Sequence, residues 1–142
     1  MAERRRVLFL CTHNSARGQM AEAFLRQLAD DRFEVASAGT EPSRVHPLAM
    51  RVMAERGLNL AGQDSKLVDG LLGEHWDVVV TLGDAAKERC PVFPRRTCRL
   101  HWSIEDPSRA TGQEEERLGA FRRVRDRIET RIRGWLARSP GR

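Results

Sequence analysis

Cys11 and Arg17 bracket the stretch Cys11-Thr12-His13-Asn14-Ser15-Ala16-Arg17, with five residues between them. A sulfur nucleophile and a planar guanidinium fork at this spacing suit a tetrahedral oxyanion: the sulfur attacks, and the fork grips two oxygens. For the two to act together, the residues from Thr12 to Ala16 must turn their backbone N–H groups inward, as the chain does at the start of a helix. The same positive field favours thiolate over thiol and is expected to draw the cysteine pKa from about 8.5 toward roughly 3.5–7.5. Taken singly, Cys11 reads as a buried residue ending a strand and Arg17 as decoration on a helix. Their spacing at a strand-to-helix junction is what marks a site. Cys90 and Cys98 bring the cysteine total to three. The odd number excludes a fully paired resting state within one chain and leaves room for one thiol that acts and a pair that cycles.

The elements that must position these residues are legible as pattern. Val7-Leu8-Phe9-Leu10 is continuously apolar, as expected of a strand buried on both faces of a parallel sheet. Met20, Ala21, Phe24, Leu25 and Leu28 then share a helical stripe that starts near Gly18 and ends at Asp30-Asp31. Phe33 to Ala38 alternates as a second strand and stops at Gly39. Pro47 opens a helix carrying Leu48, Ala49, Val52 and Met53, closed by Gly57. Asp64-Ser65 is expected to cap a short helix carrying Leu67, Val68, Leu71 and Leu72. Trp76 to Leu82, rich in β-branched residues, predicts a third strand. Gly83-Asp84 turns it into a short helix ended by Pro91, and a fourth strand is expected from Arg99 to Trp102. Thr111 to Glu114 has the form of a capping box for a last helix, whose apolar positions Leu118, Phe121, Val124, Ile128, Ile132 and Trp135 step by three or four. Strands alternating with helices predict an α/β three-layer sandwich, a four-stranded parallel sheet flanked by helices, with ligands at the carboxyl ends of the strands. Cys11, the loop toward Cys90, and Asp106 all follow such ends, so the chemistry is expected on one rim.

The 142 residues are read as one domain over 1–142, with a frayed tail at 139–142. Arg4-Arg5-Arg6 is followed by too short an apolar run for a signal peptide or a membrane span, which predicts a cytoplasmic protein without a membrane partner. The net charge of +5 is spread over helices that also carry acidic residues. With few aromatics and no nucleic-acid-binding signature, it reads as a solvated arginine-rich surface rather than a nucleic-acid interface. Only Lys66 and Lys87 are lysines among the 25 basic residues. A zinc site from Cys90, Cys98 and His101 lacks the close cysteine pairs of structural zinc sites, and no metal or other cofactor is expected. His13 aside from its place in the loop, His46 and His75 are given no role.

With these residues assembled, the chain resembles the arsenate reductases built on the low-molecular-weight protein tyrosine phosphatase fold, of the type recycled by thioredoxin. The resemblance spans nearly the whole chain: VLFLCTHNSARGQMAE from Val7 to Glu22, Ser37-Ala38-Gly39, Val79 to Leu82, Cys90-Pro91, His101-Trp102 and Glu105-Asp106-Pro107. Cys-x5-Arg with a later Asp-Pro is shared with the phosphatases; Cys90-Pro91 and His101-Trp102 point to the reductases. It implies that Cys11 attacks arsenate held by the amides of Thr12, His13, Asn14, Ser15 and Ala16 and by Arg17, while Asp106 protonates the departing oxygen. A second cysteine then attacks Cys11, arsenite leaves, and a third takes over the disulfide for thioredoxin. Asn14 and Ser37 would support the loop through side-chain hydrogen bonds, although ordinary turn and strand-end chemistry explains both residues equally well.

Three positions depart from that pattern. Gly83 stands where the family often has its first resolving cysteine, which leads to an expected relay from Cys11 to Cys90 to Cys98; otherwise Cys98 is a small buried hydrophobe and an outside thiol such as glutathione or mycothiol completes the cycle. Gly18 replaces a serine that supports the thiolate. Lys66 replaces a carboxylate that binds potassium in some relatives, and its ammonium is expected in the cation's place, unless it is simply solvated. Arsenate reduction by a monomer is thus the leading function. A tyrosine phosphatase is the alternative, weakened because Ser108 and Arg109 rather than aromatic residues follow Asp106-Pro107. A non-enzymatic oxyanion sensor would need neither Asp106 nor the later cysteines.

Overall fold

The computed structural model describes residues 4–41, 43–94 and 96–138; the tail expected at 139–142 lies outside them. Four parallel strands form one sheet: β1 (Arg5–Cys11), β2 (Phe33–Gly39), β3 (Val78–Leu82) and β4 (Cys98–Trp102), in the order β2-β1-β3-β4. The helices are α1 (Arg17–Ala29), α2 (Pro47–Ala54), α3 (Asp84–Glu88) and α4 (Glu114–Arg138), with short 3-10 turns at Val68–Leu71 and Pro107–Arg109. β1 is central, and Val7 to Leu10 are wholly buried because both faces of the strand are covered. Leu10 lies opposite Ala38 on one side and Thr81 on the other, and Thr81 lies opposite His101, so the four carboxyl ends come level.

The two faces are covered unequally. On one, α1, α2 and α4 bury Val7, Phe9, Val78 and Val80, with Leu118, Phe121, Val124, Ile128 and Ile132 of α4 at the centre. On the other, Leu8, Leu10 and Val79 are covered by Val68, Trp76 and Phe93 alone among fully buried side chains outside the sheet. That thin layer is built from the 3-10 turn, from Trp76 in the chain between that turn and β3, and from the irregular chain between α3 and β4.

Three local expectations shift. Asp64-Ser65 does not cap a helix: the Ser65 hydroxyl donates to the His13 carbonyl and the Lys66 carbonyl accepts from the Gly39 amide, which holds this stretch extended along the loop until the turn at Val68. The capping box lies two residues later than Thr111 and Glu114, because the Glu116 carboxylate accepts from the Gln113 amide at 3.1 Å. The third strand starts at Val78 rather than Trp76, whose indole N–H donates to the Leu71 carbonyl at 3.1 Å while the Arg6 guanidinium covers the ring.

Candidate active site

Every carbonyl from Cys11 to Ala16 has a partner outside the cup. Cys11 and Thr12 accept from the Thr40 amide, Thr12 also from Glu41, Ser15 from His46 and Ala16 from Met20; His13 accepts from the Ser65 hydroxyl and Asn14 from the Gln19 side chain. In a planar trans peptide the N–H points opposite to the C=O, so carbonyls turned outward leave amides turned inward. The loop ends at Ala16, the N-cap of α1, which has no side-chain capping bond and no acidic residue in the first turn. The helix N-terminus therefore keeps its orphan donors for an anion. Asn14 makes the reversal possible by taking the left-handed conformation, φ +52°, that asparagine tolerates better than most residues.

Cys11 sits at the floor of this cup, 2 % exposed. The Asn14 amide donates to its sulfur at 3.2 Å. Burial pushes the Cys11 thiol above its ordinary pKa, against the pull of Arg17 and of the Gly18 and Asn14 amides. The expected depression is thus reversed, because desolvation of the thiolate outweighs the donors around it. Gly18 contributes here in two ways: its amide faces the sulfur, and a Cβ at this position would lie 2.7 Å from Asn14 Oδ1 and 3.1 Å from the sulfur.

Arg17 is buried, and its Nη1 donates to the Ile104 carbonyl at 2.8 Å. Its Nη2 lies 3.9 Å from Asp106 Oδ2. Asp106 Oδ1 is occupied by the amide of Ser108 at 3.0 Å and its hydroxyl at 2.7 Å, which leaves Oδ2 toward the cup. Cys11, Arg17 and Asp106 line one small cavity with the loop, which opens into a larger cleft of about 850 Å³ walled by Thr12, His13, Asp84 and Arg109 among others. The guanidinium reaches this pose by passing over Gly83. A Cβ there would overlap Arg17 Nη1, and the backbone has φ +95°. Glycine at 83 is thus tied to the orientation of Arg17.

The remaining predicted residues are not all brought together. Cys90 is half-buried in a cavity of about 350 Å³ with Val79, Thr81, Arg99 and His101, against the thinly covered face; burial raises its pKa and Arg99 lowers it. Cys98 opens β4 opposite Val78, at the amino end of the sheet, so it does not share the rim of Cys11. Strand alternation sets it with Leu100 and Trp102, on the face away from Arg99 and His101. Cys98 is exposed rather than a buried hydrophobe, and all three cysteines are thiols. Cys90, Cys98 and His101 therefore do not converge, and among the described residues no cluster of three His, Cys, Asp or Glu could hold a metal.

Two supports differ from expectation. The Ser37 hydroxyl donates not to Asn14 but to the buried Glu22 at 2.6 Å, and the Asn14 side chain is buried with no hydrogen-bond partner. Lys66 is exposed, in line with the solvated alternative, and its backbone carbonyl accepts from the Gly39 amide. Sequence reasoning also missed Gln19, Thr40, His46 and Ser65 as holders of the loop carbonyls. Thr40 is signalled only by following Ser37-Ala38-Gly39 and Gln19 only by lying in the Val7 to Glu22 stretch, while His46 and Ser65 act across gaps that no local pattern reveals.

The family model described as low molecular weight phosphotyrosine protein phosphatase matches residues 6–139. An arsenate reductase of Bacillus subtilis is 41% identical over 131 residues, covering 92% of this chain and 94% of the relative. A solved arsenate reductase in the oxidised state superposes with a TM-score of 0.81 at 32% identity, over 94% of this chain and 98% of the other. A thioredoxin-dependent arsenate reductase of Corynebacterium glutamicum gives a TM-score of 0.73 at 28% identity, over 96% of this chain and 61% of its own.

Proposed function

The chain belongs to the low molecular weight phosphotyrosine protein phosphatase family, among its arsenate reductases, and from that premise we propose that it reduces arsenate to arsenite through a covalent adduct on Cys11. The outward-turned carbonyls of the loop carry this proposal, since they aim a ring of donors at one tetrahedral anion above one sulfur. Arsenate docks on the amides and Arg17, which also stabilise charge that builds on its oxygens. The Cys11 sulfur attacks arsenic, an S–As bond forms and an As–O bond breaks. The thiol proton is passed by Asp106 Oδ2 to the departing oxygen, which leaves as water. A dianionic oxyanion is itself basic enough to draw that proton, so a raised resting pKa does not block the step.

Cys90 then attacks the Cys11 sulfur, and the S–As electron pair stays on arsenic, which falls from the pentavalent to the trivalent state and departs as arsenite. Cys98 attacks Cys90, returning Cys11 to the thiol, and the Cys90–Cys98 disulfide accepts two electrons from the dithiol of thioredoxin. The exposure of Cys98, the irregular chain leading from Cys90, and the thioredoxin dependence of the Corynebacterium relative support this order. The opposite facing of Cys98 favours a second reading, in which glutathione or mycothiol resolves the Cys11–Cys90 disulfide directly. We place the reaction in one chain acting as a monomer in the reducing cytoplasm; among the described residues no helix is long and apolar enough to cross a membrane.

The test is arsenite release with thioredoxin and its reductase, run beside hydrolysis of an aryl phosphate. The native chain is expected to turn over arsenate far faster than aryl phosphate, and Cys11→Ser to do neither; arsenate turnover by Cys11→Ser overturns the proposal. Cys98→Ser is expected to lose thioredoxin-coupled turnover; unchanged turnover by that variant removes Cys98 from the mechanism, and turnover that needs added glutathione or mycothiol selects the external-thiol reading.

A further inference from the structure

Cys90 follows a helix too short to hold itself together. α3 has five residues, Asp84–Glu88, and one buried side chain, Ala86. A single helical turn is unstable in isolation, so its tertiary anchors decide whether it persists. At its start, Asp84 Oδ1 pairs with His101 Nε2 at 3.0 Å and accepts from the Ser103 hydroxyl at 3.1 Å. At its end, Arg89 Nη1 donates to Glu41 Oε2 at 2.5 Å. The other oxygen of the same carboxylate, Oε1, pairs with His13 Nε2 at 3.2 Å. Glu41 is itself fixed to the oxyanion loop, because its amide donates to the Thr12 carbonyl at 2.9 Å. One carboxylate thus joins a residue of the cup to the residue immediately before Cys90, and neither the motif nor the mechanism above uses it.

We propose that Glu41 is a positioning residue that couples the filling of the oxyanion loop to the release of Cys90. Glu41 spans His13 and Arg89 and so ties the end of α3, directly before Cys90, to the loop. An oxyanion in the cup adds negative charge beside His13, competes with Glu41 for its ring N–H and repels the carboxylate. The Arg89 contact weakens, the end of α3 loosens, and Cys90 becomes available only when there is an adduct to resolve. Each contact is at least two-fifths exposed at its partners, so the effect is a shift in population rather than a rigid lock.

This inference rests on the role of Cys90 proposed above, and its test is read without arsenate chemistry. Iodoacetamide labelling of Cys90, followed by peptide mass spectrometry, is measured with and without inorganic phosphate. Phosphate is expected to accelerate labelling in the native chain about two- to fivefold, the scale of one exposed ion pair. Glu41→Ala is expected to label at the fast rate without phosphate and to gain nothing from it, and to bind phosphate more tightly by the same factor of about two to five, because coupling is reciprocal. Arg89→Ala breaks the same link from its other end while keeping Glu41 beside His13, so it is expected to label at the fast rate too and to gain nothing from phosphate. Identical rates in the native chain and Glu41→Ala, or a phosphate response that survives in Glu41→Ala, overturn the coupling. A native chain that forms no Cys11–Cys90 disulfide with arsenate instead overturns the relay on which the coupling depends, and the two failures are distinct because labelling needs no arsenate.

Discussion

At the residue scale, the oxyanion site is a balance between burial and donors, and both sides of the balance are open to measurement. Because burial favours the neutral thiol, Cys11 is expected to ionise only above the pH of an ordinary cysteine. In a Cys90→Ser, Cys98→Ser background, thiolate ultraviolet absorbance should therefore rise at a midpoint above that of a free thiol, and Arg17→Ala should move it higher still. A midpoint near neutrality would mean that the amides and Arg17 outweigh desolvation. Gly83 is the second case. Any side chain at that position displaces the Arg17 guanidinium from the Ile104 carbonyl and from its post across the cup. Gly83→Ala is expected to weaken phosphate binding about 10- to 150-fold, the range given by losing one charged hydrogen bond of about 1.5–3 kcal/mol, as read by calorimetric titration. While Arg17 keeps this pose no side chain fits at 83, and in the proposed relay the resolving role is given to Cys90.

At the scale of elements, the helices that carry the cup are held by a face that the sequence announces and by ion pairs that it does not. The three-and-four stepping of Leu118, Phe121, Val124, Ile128 and Ile132 in α4 is intrinsic to the helix, so it is legible from the residue order alone. Ile128→Ala should cost about 2–5 kcal/mol in denaturant unfolding. Glu55, just beyond α2, joins Arg122 and Arg125 of α4, which hold its carboxyl at about 2. With a folded pKa below the unfolded value of about 4.3, its contribution is present above that value and is lost as pH falls toward about 2. The native chain should thus shed more stability across that window than Glu55→Gln, and less of the difference should remain in high salt. Cys-x5-Arg is likewise legible because its parts are neighbours. The setting of Cys98 is not, for the opposite reason: starting β4 one residue earlier includes Cys98 in the pleat and fixes its face, and a strand's facing is set by partners that pattern alone does not register. Ser65 and His46 reach the loop from 52 residues away and from across the α2 cap, distances at which a single sequence carries no signal.

For the molecule as a whole, the unequal covering of the two sheet faces determines what can move. The face under α1, α2 and α4 is a continuous core, and it anchors β1 and the amide ring rigidly. The opposite face is closed by a few side chains from segments without lasting regular structure, and Cys90 is among them. The proposed relay would carry oxidising equivalents from the carboxyl end of β1 to the amino end of β4, which requires the chain between Gly83 and Cys98 to rearrange. Stability is then expected to be lost locally, not globally, when the disulfide forms. In Cys98→Ser treated with arsenate, which should trap Cys11–Cys90, hydrogen exchange is expected to accelerate at the Lys87 and Arg89 amides, now bonded to the Gly83 and Ala85 carbonyls. The amides of Val7 to Leu10 should keep their protection, because the helices that bury them take no part in the movement. Acceleration spread evenly over α1 and β1 would mean that the cup itself unfolds to meet Cys90. Unchanged exchange throughout would mean that Cys90 reaches Cys11 without α3 opening, and the short helix would then have no part in the cycle.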